Sequence, residues 1–287
     1  MAVQTITVLG SGIMGNGIAH VAAQAGYKTI LHDVSLDALN KALNTISKNL
    51  DKGIELGKIS AQDKEATLSR ISVEQHLEAA VAPSDFVIEA VPEKIDLKIK
   101  IYTTLDKTCK PETVFATNTS SLSITEIAAV TQRPQKCIGM HFFNPVHKMK
   151  LVEIIKALET DEATIKATQD VAIAMGKEIV TIKESPGFIT SRINALIGNE
   201  AFYMLQEGIG SAKDIDTALK LGLNHPMGPF EMVDLVGLDT RLSILEYLHK
   251  SLGEKYKPCP LMVQYVKAGR LGRKTGKGVH EYPDVKK

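Results

Sequence analysis

Residues 5–33 run from an apolar β-type stretch, TITVLG, through GSGIMG, into an apolar helical stretch that stops at Gly26, and on to a second strand, TILHD, ending at Asp33. A GxGxxG string alone is a weak signal. Here it follows a strand, opens a helix and is followed roughly 20 residues on by an acid, the context that a dinucleotide-binding βαβ unit requires. The alternative, glycines that merely turn the chain, is disfavoured by that context.

Each position has a physical task. Gly10 allows the tight turn, Gly12 removes the side chain that would hold a pyrophosphate off the backbone, and Gly15 lets the helix pack close to its strand. With Ser11, Ile13 and Met14 they bring backbone amides at the helix start towards phosphates. Asp33 is placed to accept hydrogen bonds from an adenosine ribose, and its charge repels a 2′-phosphate. The reading is therefore NAD, with NADP disfavoured: Val34, Ser35 and Leu36 include no arginine to receive that phosphate.

The chain has 287 residues, enough for about two domains and a substantial core. Lysine and arginine total 34 against 33 acids, so the formal charge of +1 gives no broad attraction to nucleic acid or a membrane surface. Cys109, Cys137 and Cys259 lack CxxC spacing, which suits a reducing compartment and argues against a structural zinc site. The start shows no secretory signal and no apolar run approaches a membrane span. A soluble cytoplasmic protein without a metal is expected.

Beyond Asp33, residues 36–70 read as a helical pair around an LGKIS turn. Short apolar runs with the signature of buried parallel strands follow in SDFVIEAV, TVFATN and KCIGMHFFNP, separated by helix-like stretches. KLVEII and KEIVTI flank a helix over 161–176 that Gly176 terminates. At SPGF, residues 185–188, strands give way to helical periodicity, broken at LGLNHPMGP and YKPCP and closed by GRLGRKTGKG. The expected fold is α/β: a doubly wound, Rossmann-type, mostly parallel sheet domain over 1–185, with the helical pair inserted at about 36–70, then an all-helical domain over 186–287.

Ligands of open α/β sheets gather outside the carboxyl ends of the strands. Those ends present Glu93, Asn118 to Ser121, and His141 to Asn144. Of eight histidines, His141 has the best placement for proton transfer, since a sheet strand delivers it to the cofactor cleft. His20 lies within the first helix, His76 and His249 fit solvated segments, and His147, His225 and His280 fall in loops or tail. Glu153, inside the aliphatic run LVEII, carries a desolvation penalty unless paired. An adjacent strand brings His141 beside it, where it would fix the ring's tautomer; the alternative is an exposed edge-strand glutamate. Ser120 can reach a substrate oxygen, while Ser121 or Ser123 starts the next helix.

GSGIMG with Asp33, VPEKIDLK, NTSSLSIT, HFFNPVHKMKLVEII, SPGFITSR, NHPMGPFE and GRKTGKG together resemble the 3-hydroxyacyl-CoA dehydrogenase family essentially end to end, especially its short-chain bacterial 3-hydroxybutyryl-CoA members. The resemblance implies that His141 is the general acid/base, Glu153 its partner, and Ser120 the hydrogen-bonding group for the substrate oxygen at C3. It also implies that Glu93, Lys98, Ser120, Asn144 and Lys274 lie near the nicotinamide half of the cofactor. The implied reaction is reversible hydride transfer between NAD(H) and C3 of a short (S)-3-hydroxyacyl-CoA, with acetoacetyl-CoA as the ketone of the 3-hydroxybutyryl pair. Coenzyme A is assigned to the helical pair, where Lys48 and Lys52, one turn apart, either meet its phosphates or form a solvated lysine face.

One position departs from the family pattern: Ser191 stands where an asparagine usually contacts the substrate, with Asn194 nearby in sequence. An altered catalytic site and an engineered substitution both fit. Two further functions share these residues: a dehydrogenase of a free hydroxy acid, and a dinucleotide-dependent binding protein without turnover. Self-association as a homodimer through the helical domain is expected from its apolar content and from the resemblance.

Overall fold

The structure is a computed structural model and describes residues 3–283. Contacts divide the chain into two units, Met1–Glu184 and Ser185–Lys287. Among the described residues, the first unit holds β1 (Thr5–Leu9), β2 (Lys28–His32), β3 (Ile71–Glu74), β4 (Phe86–Glu89), β5 (Val114–Thr117), β6 (Cys137–Phe142), β7 (Leu151–Lys156) and β8 (Glu178–Lys183). They form one sheet in the order β3-β2-β1-β4-β5-β6-β7-β8. Every pairing is parallel except β6 with β7.

Helices α1 (Ile13–Gln24), α2 (Leu36–Glu55), α3 (Ala61–Ser69), α4 (Leu77–Val81), α5 (Ile95–Thr108), α6 (Ile124–Ala128) and α7 (Glu162–Ala174) connect the strands. Strands β1, β4, β5 and β6 are buried at every residue, which is why they read as continuous rather than alternating apolar runs. In α2 the buried residues Leu39, Ala42, Ile46 and Leu50 recur at three- and four-residue spacing, leaving the lysines on the opposite face. Its start is capped by Ser35, whose hydroxyl accepts from the Ala38 amide at 3.2 Å, and α3 opens on a Ser60–Asp63 capping box. Gly176, at φ +72°, lies just past the end of α7.

Strand β3 has no counterpart in the sequence reading. Its residues, ISVE, are half-buried or exposed at the sheet's edge, so neither an apolar run nor a clean alternation marks it. The strand order reverses between β1 and β4. That makes the crevice at their carboxyl ends the place where a dinucleotide binds in a doubly wound sheet.

The second unit is helical: α8 (Thr190–Gln206), α9 (Ala212–Gly222), α10 (Pro229–Val236), α11 (Leu238–Leu252) and α12 (Pro260–Lys267). Phe202, Phe230, Leu245, Leu248, Tyr256 and Met262 form its core, with the Phe202 and Phe230 rings edge-on at 5.3 Å. The glycine-rich segment is anchored to this core. Asp234 accepts from the Val279 and His280 amides, each at 2.8 Å, and from the Tyr282 hydroxyl at 3.0 Å.

Candidate active site

The cradle after β1 is built by close approach. Gly10 sits at φ +91°, where a Cβ would lie 2.6 Å from the Ala90 carbonyl oxygen, and a Cβ on Gly15 would collide with the Gly10 carbonyl. At Gly12, by contrast, a Cβ would meet nothing within 4 Å. No side chain caps α1 and no acid occupies its first turn, so this helix start presents its amides to open space. Asp33 follows β2, with Oδ2 accepting from the Ser11 amide at 2.9 Å and hydroxyl at 2.8 Å, and Oδ1 from the Ser35 amide at 3.1 Å. Burial works against its charge, but these bonds outweigh it and hold the carboxyl below its usual range. Ser11 thus uses both its amide and its hydroxyl to orient Asp33. Ile13 is exposed and Met14 packs partly against the core. An open glycine, an uncapped helix start and an ionised ribose acceptor fit a dinucleotide.

At the ends of β4 and β5 lies a network that the motifs did not reveal. Glu89, wholly buried, receives the Lys98 ammonium at 2.7 and 2.8 Å, the Thr117 hydroxyl at 2.7 Å and the Val91 amide at 2.7 Å. Lys98 also stands 3.4 Å from Glu93. Oε1 of Glu93 accepts from the Thr119 hydroxyl at 2.5 Å, the Ser120 amide at 3.0 Å and both donors of Ser121 at 3.3 and 3.2 Å. Burial opposes ionisation of Glu93, while Lys98 and these donors favour it and prevail, so its pKa lies below the ordinary value. Lys98 is thus a buried cation that organises Glu93, and Glu93 fixes the loop carrying Ser120. The same desolvation reasoning that singles out Glu153 applies to the glutamate of FVIE, and would have found Glu89.

The antiparallel register sets His141 of β6 directly opposite Glu153 of β7, and the His141 Nδ1–H donates to Glu153 Oε2 at 2.8 Å. Glu153 is fully buried on an interior strand, which excludes the exposed-edge alternative. The Phe143 ring lies 4.6 Å from the imidazole, and the Phe142 amide donates to Asn118 Oδ1 at 2.9 Å, joining the ends of β5 and β6. Asn144 is exposed in the loop that follows. Ser123, not Ser121, caps α6, accepting from the Glu126 amide at 3.1 Å. Among the other histidines, His20 is buried against His147 at 5.6 Å; burial, then His147 and Lys177, push it down to about 4.

Lys48 and Lys52 stand on the exposed face of α2, Lys52 paired with Glu55 at 2.7 Å. In the helical unit, Lys274 binds both oxygens of Asp239 at 2.6 Å, and Ser191 lies half-buried in the first turn of α8 with Asn194 one turn on. The three cysteines are free and buried, and burial pushes the Cys109 and Cys137 thiols up to about 12. Among the described residues, no group of three or more His, Cys, Asp or Glu side chains is placed to hold a metal, and no helix is long and apolar enough to cross a membrane.

A doubly wound sheet whose strand ends carry both a dinucleotide cradle and a carboxylate-held imidazole defines a nicotinamide-nucleotide-dependent dehydrogenase. Comparison with known proteins narrows the class. Residues 5–185 match the model of the 3-hydroxyacyl-CoA dehydrogenase NAD binding domain and residues 187–282 that of the 3-hydroxyacyl-CoA dehydrogenase C-terminal domain. The chain belongs to the 3-hydroxyacyl-CoA dehydrogenase family. It is 47% identical over 285 residues, 99% of each chain, to a probable 3-hydroxybutyryl-CoA dehydrogenase of Bacillus subtilis. A 3-hydroxybutyryl-CoA dehydrogenase of Bradyrhizobium diazoefficiens is 46% identical, over 99% of this chain and 97% of its own. The crystal structure of (S)-3-hydroxybutyryl-CoA dehydrogenase from Ralstonia eutropha superposes with a TM-score of 0.95 at 43% identity, covering 98% of this chain and 99% of that one.

Proposed function

We propose that this protein is an NAD-dependent 3-hydroxybutyryl-CoA dehydrogenase that interconverts (S)-3-hydroxybutyryl-CoA and acetoacetyl-CoA. The observation that carries the reading is the His141–Glu153 pair, set by strand register in the same sheet as the cradle. When bound, the dinucleotide supplies a nicotinamide ring that accepts or donates hydride at the substrate's C3. His141 moves the proton. With Nδ1–H committed to Glu153, Nε2 takes the hydroxyl proton during oxidation and returns it during reduction, and the Glu153 carboxylate stabilises the imidazolium between these steps. Ser120 hydrogen-bonds the C3 oxygen, its backbone held by Glu93. Asn144 contacts the nicotinamide half, while Lys98 acts through Glu93. Lys48 and Lys52 meet coenzyme A phosphates, and the three free thiols fit a reducing cytoplasm.

The deciding experiment follows the NADH absorbance band with acetoacetyl-CoA, run in parallel with NADH and NADPH. Oxidation of NADH is expected, and much slower oxidation of NADPH because the ionised Asp33 repels a 2′-phosphate. Equal rates with the two nucleotides would overturn the NAD assignment. Turnover of acetoacetate as fast as of its coenzyme A ester would point to a free-acid dehydrogenase.

We also propose a homodimer formed through the helical unit. Leu196, Ile197, Met204, Leu219 and Leu223 line an apolar groove there, and Leu221 and Leu223 are 82% and 66% exposed. Light scattering at micromolar protein should give twice the monomer mass. A monomer mass would refute the assembly.

A further inference from the structure

We propose that Glu89 and Glu93, sharing the single ammonium of Lys98, make the nicotinamide end of the site net anionic, so that it binds the oxidised, cationic cofactor in preference to the reduced, neutral one. This preference presupposes the dinucleotide reading above and adds to it which redox form the site favours. Asp33 fixes the adenosine beyond β2 and the open Gly12 receives the pyrophosphate after β1. Continuing across the sheet, the other half of the dinucleotide reaches the carboxyl ends of β4 and β5, next in the strand order. Glu89 is the last residue of β4, and Glu93 stands in the loop that leaves it.

The charge at these strand ends does not cancel. Lys98 donates to both oxygens of Glu89 at 2.7 and 2.8 Å and lies 3.4 Å from Glu93 Oε2, so two carboxylates share one cation. Glu89 and Lys98 are buried, whereas the Glu93 side chain is 37% exposed, so the uncompensated charge sits on the group that is open to solvent just beyond β4. Lys94 and Asp96, both exposed at the start of α5, are opposite in sign.

Holding the Ser120 loop does not require that charge. The donors of Thr119, Ser120 and Ser121 all converge on Oε1 of Glu93, while Oε2 faces Lys98. A glutamine would present the same carbonyl oxygen to those donors. The negative charge is therefore separable from the hydrogen bonding, and its effect falls on whatever charge the neighbouring ring carries. The two cofactor forms differ there: the ring is a cation when oxidised and neutral when reduced. In ketone reduction, hydride passes from the reduced ring to C3 and His141 gives its proton to the oxygen, leaving a hydroxyl and a ring cation.

The test is calorimetric titration of NAD+ and NADH separately into the wild type, Glu93→Gln, Glu89→Gln and Asp33→Asn. Glu93→Gln should raise the Kd for NAD+ relative to that for NADH by at least about tenfold, the lower bound being the worth of one unit charge a few ångströms from another when water fully screens the pair. Glu89→Gln, which lets Lys98 neutralise Glu93, should shift the ratio in the same direction. Asp33→Asn, at the end where the two forms are identical, should weaken both alike. A wild type that binds NADH more tightly than NAD+, an unchanged ratio in both glutamine variants, or equal weakening of the two forms overturns the proposal while leaving the dinucleotide reading standing. A wild-type protein that binds neither nucleotide overturns that reading, and the preference with it.

Discussion

Replacing His141 by alanine is expected to leave NADH binding unchanged while lowering kcat for acetoacetyl-CoA reduction about 10²–10⁴-fold, the usual contribution of a positioned acid or base. The binding half follows from the cradle, which is built from the ends of β1 and β2 and uses no atom of β6. The turnover half follows from register: Glu153 is anchored in β7, so the imidazole it holds cannot be replaced by a solvent-borne base with the same orientation. His141→Gln, which keeps an amide donor towards Glu153, should lose turnover as severely as the alanine variant. That outcome separates proton transfer from packing. Steady-state rates with NADH titrations on the same samples check both halves, and undiminished kcat in either variant would remove His141 from the chemistry.

How much of this site is written locally decides how much a sequence reader sees. The β1–α1–β2 unit was legible because its requirements are contiguous: three glycines with no room or need for a side chain, then an acid at the end of the next strand. The His141–Glu153 pair was legible for a related reason. A carboxylate inside LVEII has to be paired, and the pairing strand is its neighbour in the chain. Glu89 obeys the same rule, yet FVIEAV is equally readable as a buried strand that ends at its glutamate, and its partner Lys98 stands on a helix full of other lysines. Only the fold shows that Lys98 is the one turned inward. The bonds from Ser11 to Asp33 were not legible, because a helix-start amide open to a ligand and one bound to Asp33 have the same sequence. Strand β3 was missed because an edge strand needs no apolar face. Ser191 lies in the first turn of α8, and nothing in the structure explains its choice over asparagine.

The buried ion pair also predicts the largest loss of stability. Lys98→Met, similar in length but uncharged, is expected to destabilise the folded protein by about 3–5 kcal/mol, because removing one partner of a buried pair strands the other in a poorly solvated site. Glu89 retains the Thr117 hydroxyl and the Val91 amide as donors, but neither supplies the missing charge. The double variant Glu89→Gln/Lys98→Met should recover most of the loss, since an amide in place of the carboxylate has no charge to strand and can still accept hydrogen bonds. Urea unfolding midpoints for the wild type, the two single variants and the double variant close this cycle. If the single and double variants unfold alike, the cost belongs to packing around α5 rather than to the charge on Glu89. If Lys98→Met unfolds with the wild type, the pair is not isolated from water, and its charges contribute little to the stability of the fold.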